Sequence, residues 1–153
     1  MPTTPILIRQ GTLADIPDLM VLERHAPAAA HWSLEQYQNI FSADAASRVL
    51  LILEEDSCIR GFVAGRTPDT EWEIENVIVS EVVRRRGFGA RLLREFLALA
   101  RGQHATKIFL EVRESNLAAR RLYEKSGFSQ SGRRHSYYQE PKEDAIVYHL
   151  GLA

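Results

Sequence analysis

The stretch Glu71-Trp72-Glu73-Ile74-Glu75-Asn76-Val77-Ile78-Val79, followed at short range by Arg84-Arg85-Arg86-Gly87-Phe88-Gly89, decides the fold. Its first part alternates as a strand does, with Trp72, Ile74, Asn76 and Ile78 on one face and Glu73, Glu75, Val77 and Val79 on the other. From Gly87 to Arg101 the period becomes helical: Leu92, Leu93, Phe96, Leu97 and Ala100 form one stripe suited to packing on a sheet, and Gly102 stops the helix. Glycines at alternate positions permit left-handed backbone and close approach of another group. The helix N-terminus then offers unpaired amides and the positive end of its dipole at a loop without side-chain bulk. With Arg84, Arg85 and Arg86 beside it, this is a candidate phosphate site. A Gly-x-Gly turn that only joins strand to helix carries the same pattern.

No Lys-Ser/Thr pair follows the glycines and no third glycine completes a dinucleotide fingerprint, so neither a nucleoside triphosphate nor NAD is the expected ligand. The 153 residues suit a single domain over 1–153. A net charge of -1 supplies no overall basic field for nucleic acid. No stretch of about 20 apolar residues and no basic start with an apolar run is present, so no membrane partner and a cytoplasmic location are expected. His25, His31, His104, His135 and His149 lack ligand spacing, and no metal is expected. The lone Cys58 reads as a small strand hydrophobe.

Toward the N-terminus, Ile6 to Gln10 reads as a strand. Thr12 with Asp15 opens a helix to about Arg24, and Ser33 with Gln36 opens a second, short one after the interruption from His25 to Ala30. This helical pair is either a lid over a substrate groove or a plain connection. Arg48 to Glu54 is a buried strand, and Cys58 to Arg66, with two glycines, is its antiparallel partner with room for a bulge. Toward the C-terminus come a strand from Lys107 to Val112, then a helix from Leu117 to Lys125 capped by Asn116 and Gly127. Strands from Phe128 to Tyr138 and from Asp144 to Leu150 complete the chain. Strand, phosphate helix and strand in succession imply a parallel crossover.

Arg84-x-x-Gly87-x-Gly89 resembles the pyrophosphate loop of the GCN5-related N-acetyltransferases (GNAT), and the second half extends the match. Leu110-Glu111-Val112-Arg113-Glu114-Ser115-Asn116-Leu117-Ala118-Ala119, then Leu122-Tyr123-Glu124-Lys125-Ser126-Gly127-Phe128, is similar to that family's signature. Tyr137-Tyr138 and Glu143-Asp144-Ala145-Ile146-Val147 resemble its RimI-type subgroup, which acetylates a ribosomal-protein alanine. Over residues 1 to 70 only Trp32-Ser33 matches, and His31 replaces the subgroup's proline. The resemblance implies an α+β fold, a mixed and mostly antiparallel sheet of about seven strands flanked by about four helices, with a parallel pair at the acetyl-CoA cleft. It also implies acetyl-CoA as cosubstrate and a protein or peptide N-terminus as acceptor.

Site roles follow from the same resemblance. Val77, Ile78, Val79, the loop Arg84, Arg85, Arg86, Gly87, Phe88, Gly89 and Ala90, and Asn116 would hold acetyl-CoA. A backbone N–H near Val77 or Val79 would polarise the thioester carbonyl. Tyr123 would lie near the sulfur as the acid, and Glu111 would be the general base, with Glu75 a rival. Trp32, Tyr137 and Tyr138 would contact the acceptor. At about 100° per residue Asn116 and Tyr123 return to nearly one helix face, as lining one groove requires. Asn116 serving only as a cap, and Tyr123 only as a core aromatic, fit the same spacing. An α-amine with pKa near 8 is roughly 3 kcal/mol easier to deprotonate than a lysine at about 10.4, so one carboxylate suits an α-amine better. A lysine or small-molecule amine remains the rival acceptor within the class. A non-catalytic acyl-CoA sensor would lack the base and acid, and both are present.

Overall fold

The all-apolar run Leu50-Leu51-Ile52-Leu53 has no polar face because both its faces are covered. Leu51 and Leu53 enter one core, and Leu50 and Ile52 enter a second on the opposite side of the same sheet. The protein is seen here in a computed structural model that describes residues 5–26, 32–42 and 47–152. Among these, seven strands form one sheet in the order β1-β2-β3-β4-β5-β7-β6. They are β1 (Ile6–Gln10), β2 (Arg48–Glu55), β3 (Cys58–Arg66), β4 (Glu71–Val79), β5 (Lys107–Arg113), β6 (Ser129–Tyr138) and β7 (Glu143–Gly151). Only β4 and β5 pair in parallel, as their connection through a helix requires.

The helices are α1 (Ile16–Arg24), α2 (Leu34–Asn39), α3 (Phe88–Gly102) and α4 (Leu117–Lys125). α3 buries Leu92, Leu93, Phe96, Leu97 and Ala100 against one face of the sheet, where Trp72 meets Phe96 edge-on at 5.7 Å. Phe96 and the leucines each contribute about 1.5–3 kcal/mol on burial. α4 supplies Tyr123 to this core, while α1 and α2 cover the other face with Ile16, Leu19 and Tyr37 over Ile52, Phe62 and Ala64. No helix among the described residues is long and apolar enough to cross a membrane.

Local rules account for the helix ends. Ser33 and Gln36 exchange both capping bonds, at 3.2 and 2.8 Å. Thr12 donates to Asp15, but a 3-10 turn over Leu13–Asp15 precedes α1, which begins at Ile16. Gly102 does not stop α3. It is the last helical residue, and His104 takes the left-handed position (φ 63°) while Ala105 N–H returns to Ala100 C=O. α4 ends as expected, with Gly127 at φ 100° and Phe128 N–H bonded to Tyr123 C=O. Cys58 is exposed at the start of β3 rather than a packed hydrophobe. Of the expected interruption between the first two helices, residues 27–30 lie outside the described residues, as does His31.

The expected face assignment of β4 is wrong beyond Ile74. Ile74 pairs with Gly65 but Asn76 pairs with Ala64, so β4 carries one extra residue, Glu75, as a bulge. Before the bulge, Trp72 and Ile74 face the α3 side. After it the parity reverses: Val77 and Val79 face α3, and Ile78 joins the core beneath α1 and α2. Asn76, opposite Ala64, is carried to the α1/α2 side as well.

Candidate active site

Ladder pairing between β4 and β5 runs from Glu71–Lys107 to Ile74–Leu110 and stops, although β4 continues to Val79 and β5 to Arg113. The parted strands open a cleft of about 340 Å³ between Glu75, Asn76 and Val77 on one wall and Glu111, Val112 and Arg113 on the other. Backbone groups of β4 that would have continued the ladder now face this space. Asn116, Ala119 and Tyr123 of α4 line it, with Trp32, Gln36, Tyr137 and Tyr138 around the opening. The cleft thus gathers Glu111, Tyr123, Glu75, Val77, Asn116, Trp32, Tyr137 and Tyr138 from the sequence-expected set.

Tyr123 is buried, wedged between Phe128 (6.0 Å between centroids) and Tyr148 (6.2 Å). Its Phe128 contact is the apolar clasp of the α4 C-terminal turn, so the helix cap also fixes the ring. Burial pushes its phenol above the ordinary value, and nearby Tyr138 adds to this. The hydroxyl therefore stays protonated at neutral pH, as a proton donor must. Asn116 acts as the expected cap, its Oδ1 accepting from Ala119 N–H at 3.2 Å, and it also lines the cleft. The cap and groove readings are both met.

Three carboxylates share the cleft. Glu111 receives Arg134 Nη1 at 2.8 Å, and the Arg134 guanidinium lies 4.1 Å from the Tyr137 ring centroid. Glu75 is paired with Arg48, and its pKa is raised by burial, which Arg48 and Arg66 only partly offset. Glu73 is raised by burial and then by the Glu75 charge. Tyr138 is pushed up to about 12 by burial and then by Glu111. Neither tyrosine of the pair belongs to the core: their rings meet edge-on at 5.1 Å, Tyr137 is exposed and Arg113 covers Tyr138 at 4.3 Å.

At the far end of β4, Gly87 is left-handed (φ 78°) and caps α3, and a side chain there would meet nothing within 4 Å. The first-turn amides therefore open onto free space, which suits an anionic diphosphate. Gly89 has a different reason to be glycine, since its Cβ would lie 3.0 Å from Leu122 Cδ2 of α4. Arg84 and Arg85 are exposed, whereas Arg86 is engaged by Glu55 and stacks 4.6 Å from the Phe88 ring centroid. Phe88 itself is core, and so is Ile78, leaving only their backbones for a ligand.

Sequence reasoning missed several site residues. Glu73 was legible as sharing Glu75's face, but its place in the cleft was not. Arg48 and Arg134 reach their carboxylates from β2 and β6, and nothing local announces it. Glu23 of α1 is also buried: it accepts Trp32 N–H at 2.6 Å and Tyr37 Oη–H at 2.9 Å, holding the Trp32 wall in place.

Comparison with known proteins identifies the family. The model of the acetyltransferase (GNAT) family matches residues 14–128. A [ribosomal protein bS18]-alanine N-acetyltransferase of Haemophilus influenzae is 32% identical over 92% of this chain and 95% of its own length. N-alpha-acetyltransferase RimI of Mycobacterium tuberculosis is 44% identical over 83 residues, 54% of this chain and 51% of that protein. The crystal structure of the Escherichia coli ribosomal-protein-S18-alanine N-acetyltransferase superposes with a TM-score of 0.86 at 25% identity, covering 97% of this chain and 95% of that one. The family model spans well over half of the chain, and the chain belongs to the acetyltransferase (GNAT) family.

Proposed function

We propose that this enzyme acetylates the α-amine of a protein N-terminus in the cytoplasm, using acetyl-CoA. The observation that carries the reading is the cleft itself, which brings Glu111, Tyr123 and the Tyr137-Tyr138 pair of β6 around one opening between β4 and β5. Relatives named as alanine N-acetyltransferases of ribosomal protein bS18 support the same acceptor class. The amides of Arg85 to Ala90 would hold the pyrophosphate, with Val77, Val79 and Asn116 along the chain. Acetyl-CoA supplies the activated acyl group.

The protein's own residues do the proton work. Glu111 takes the proton of the incoming ammonium, directly or through water, so that the nitrogen lone pair is free. A β4 amide steadies the oxyanion when the N–C bond forms. As the C–S bond breaks, Tyr123 would give its phenolic proton to the thiolate, and the second proton, shed by the acetylated nitrogen, would return through solvent to the phenolate.

Mass spectrometry of a peptide panel incubated with acetyl-CoA tests the proposal. Acetylation at free N-termini, and not at lysines of N-terminally blocked peptides, is the expected result. Modification of lysines alone would overturn it.

A further inference from the structure

Asn76 is 6% exposed, and its side-chain Nδ2 has no hydrogen-bond partner among the described residues. A buried amide donor left unpaired costs free energy unless a ligand completes it. Asn76 also lines the cleft, next to Glu75 on the β4 wall, with Glu111, Val112 and Arg113 on the β5 wall. Its position there is made by the bulge: regular alternation would have put it with Trp72 and Ile74 in the core beneath α3, whereas the extra residue at Glu75 brings it opposite Ala64. That is the side of the sheet on which α1 and α2 lie, the same elements that bring Trp32 and Gln36 to the opening. Bulges beside active sites commonly re-aim one side chain in this way.

We infer that Asn76 is an acceptor-binding residue whose Nδ2–H donates to the backbone carbonyl of the acceptor's first residue. The inference rests on the N-terminal reading above and deepens it. An α-amine always carries a carbonyl two bonds away on its own residue, whereas a lysine ε-amine has only methylenes at that distance. One donor at fixed distance from the base therefore separates the two acceptors. A site built to bond a polar group rejects the analogue that lacks it, because its own buried donor is then left unpaired.

The experiment compares wild type, Asn76→Ala and Asn76→Asp with two acceptors, a peptide with a free N-terminus and an N-terminally blocked lysine peptide, together with thermal melting of each protein. In Asn76→Ala, kcat/KM for the N-terminal peptide is expected to fall about tenfold through acceptor KM, a change of about 1.4 kcal/mol. The lysine peptide and the KM for acetyl-CoA should not change. The melting temperature should stay level or rise, since removing an orphaned donor relieves a cost that a merely structural asparagine would not carry. Asn76→Asp, which keeps the shape but loses the donor, should also lose the N-terminal peptide. Unchanged kinetics on that peptide in folded Asn76→Ala, an equal loss on both acceptors, or a loss expressed in acetyl-CoA KM would each overturn the role of Asn76. Acetylation of the lysine peptide alone by wild type would instead overturn the N-terminal reading itself.

Discussion

Glu75 and Glu111 occupy the first facing positions beyond the Ile74–Leu110 rung of the β4–β5 ladder, and each is held by an arginine from another strand, Arg48 of β2 and Arg134 of β6. Glu75 sits on the bulge and has its pKa raised by burial, while Glu111 shares Arg134 with the exposed Tyr137.

Glu111→Gln should depress kcat/KM most below the amine's pKa near 8, where a proton must still be removed, and recover in part as pH rises. Glu75→Gln should have the smaller kinetic effect but should lower stability, because it leaves Arg48 without its anion. A pH-rate series on an N-terminal peptide decides between them. A flat, near-wild-type profile for Glu111→Gln with severe loss for Glu75→Gln would transfer the base to Glu75.

Tyr123→Phe keeps the ring contacts with Phe128 and Tyr148 and removes only the hydroxyl. It should lower kcat by about 10²-fold or more with acetyl-CoA affinity little changed. Because burial raises the phenol's pKa, wild-type kcat should show no alkaline fall from this group below its ordinary value near 10. Single-turnover kinetics at saturating substrates check both points, and an unaltered rate in the variant would remove Tyr123 from the chemistry.

Much of this site was legible because its signals are local. Asn116 and Gly127 bracket a helix that returns Tyr123 to the cleft that Asn116 also lines, and the apolar run of β2 announces a strand covered on both sides. The bulge was not read from the sequence, although the alternation of β4 changes phase across Glu75-Asn76, from Trp72 and Ile74 to Val77 and Val79; the register with β3 identifies Glu75 as the extra residue. Pairings such as Arg134 with Glu111 and Arg86 with Glu55 join residues far apart in the chain, and no periodicity encodes them. For that reason the arginines of the loop looked interchangeable, yet Arg86 is held by Glu55 while Arg84 makes only a long, exposed contact with Glu81.

Asp15 illustrates how the acceptor-side helices are tied to the sheet. Arg9 of β1 donates to both its oxygens at 2.8 and 2.9 Å, and this bonding, against some desolvation, lowers the Asp15 pKa to about 2. A depressed carboxylate contributes stability that is present above its unfolded pKa near 4 and lost as pH falls toward 2. Asp15→Asn should therefore cost about 1–2 kcal/mol at pH 7, the pair being partly screened by solvent, and progressively less below pH 4. Denaturant titrations at pH 7 and pH 2.5 measure this, and an equal loss at both would show that the charge is not what matters.

The two glycines of the loop should fail in different ways. At Gly87 an added side chain meets nothing in the protein but must adopt φ 78°, at a cost of about 1 kcal/mol, and it projects from the helix end that should receive the pyrophosphate. At Gly89 the added carbon comes within 3.0 Å of Leu122 Cδ2, so that side chain must give by a few tenths of an ångström, while Val79 Cγ2 at 3.7 Å is in ordinary contact. Gly89→Ala should thus lose stability and acetyl-CoA affinity together, and Leu122→Ala in the same chain should restore part of both. Gly87→Val should lose affinity that Leu122→Ala does not return. Calorimetry with acetyl-CoA, alongside melting curves, separates packing from ligand contact. If Gly87→Val and the Gly89→Ala/Leu122→Ala pair both bound acetyl-CoA as tightly as wild type, the diphosphate would have to be held elsewhere than the N-terminus of α3.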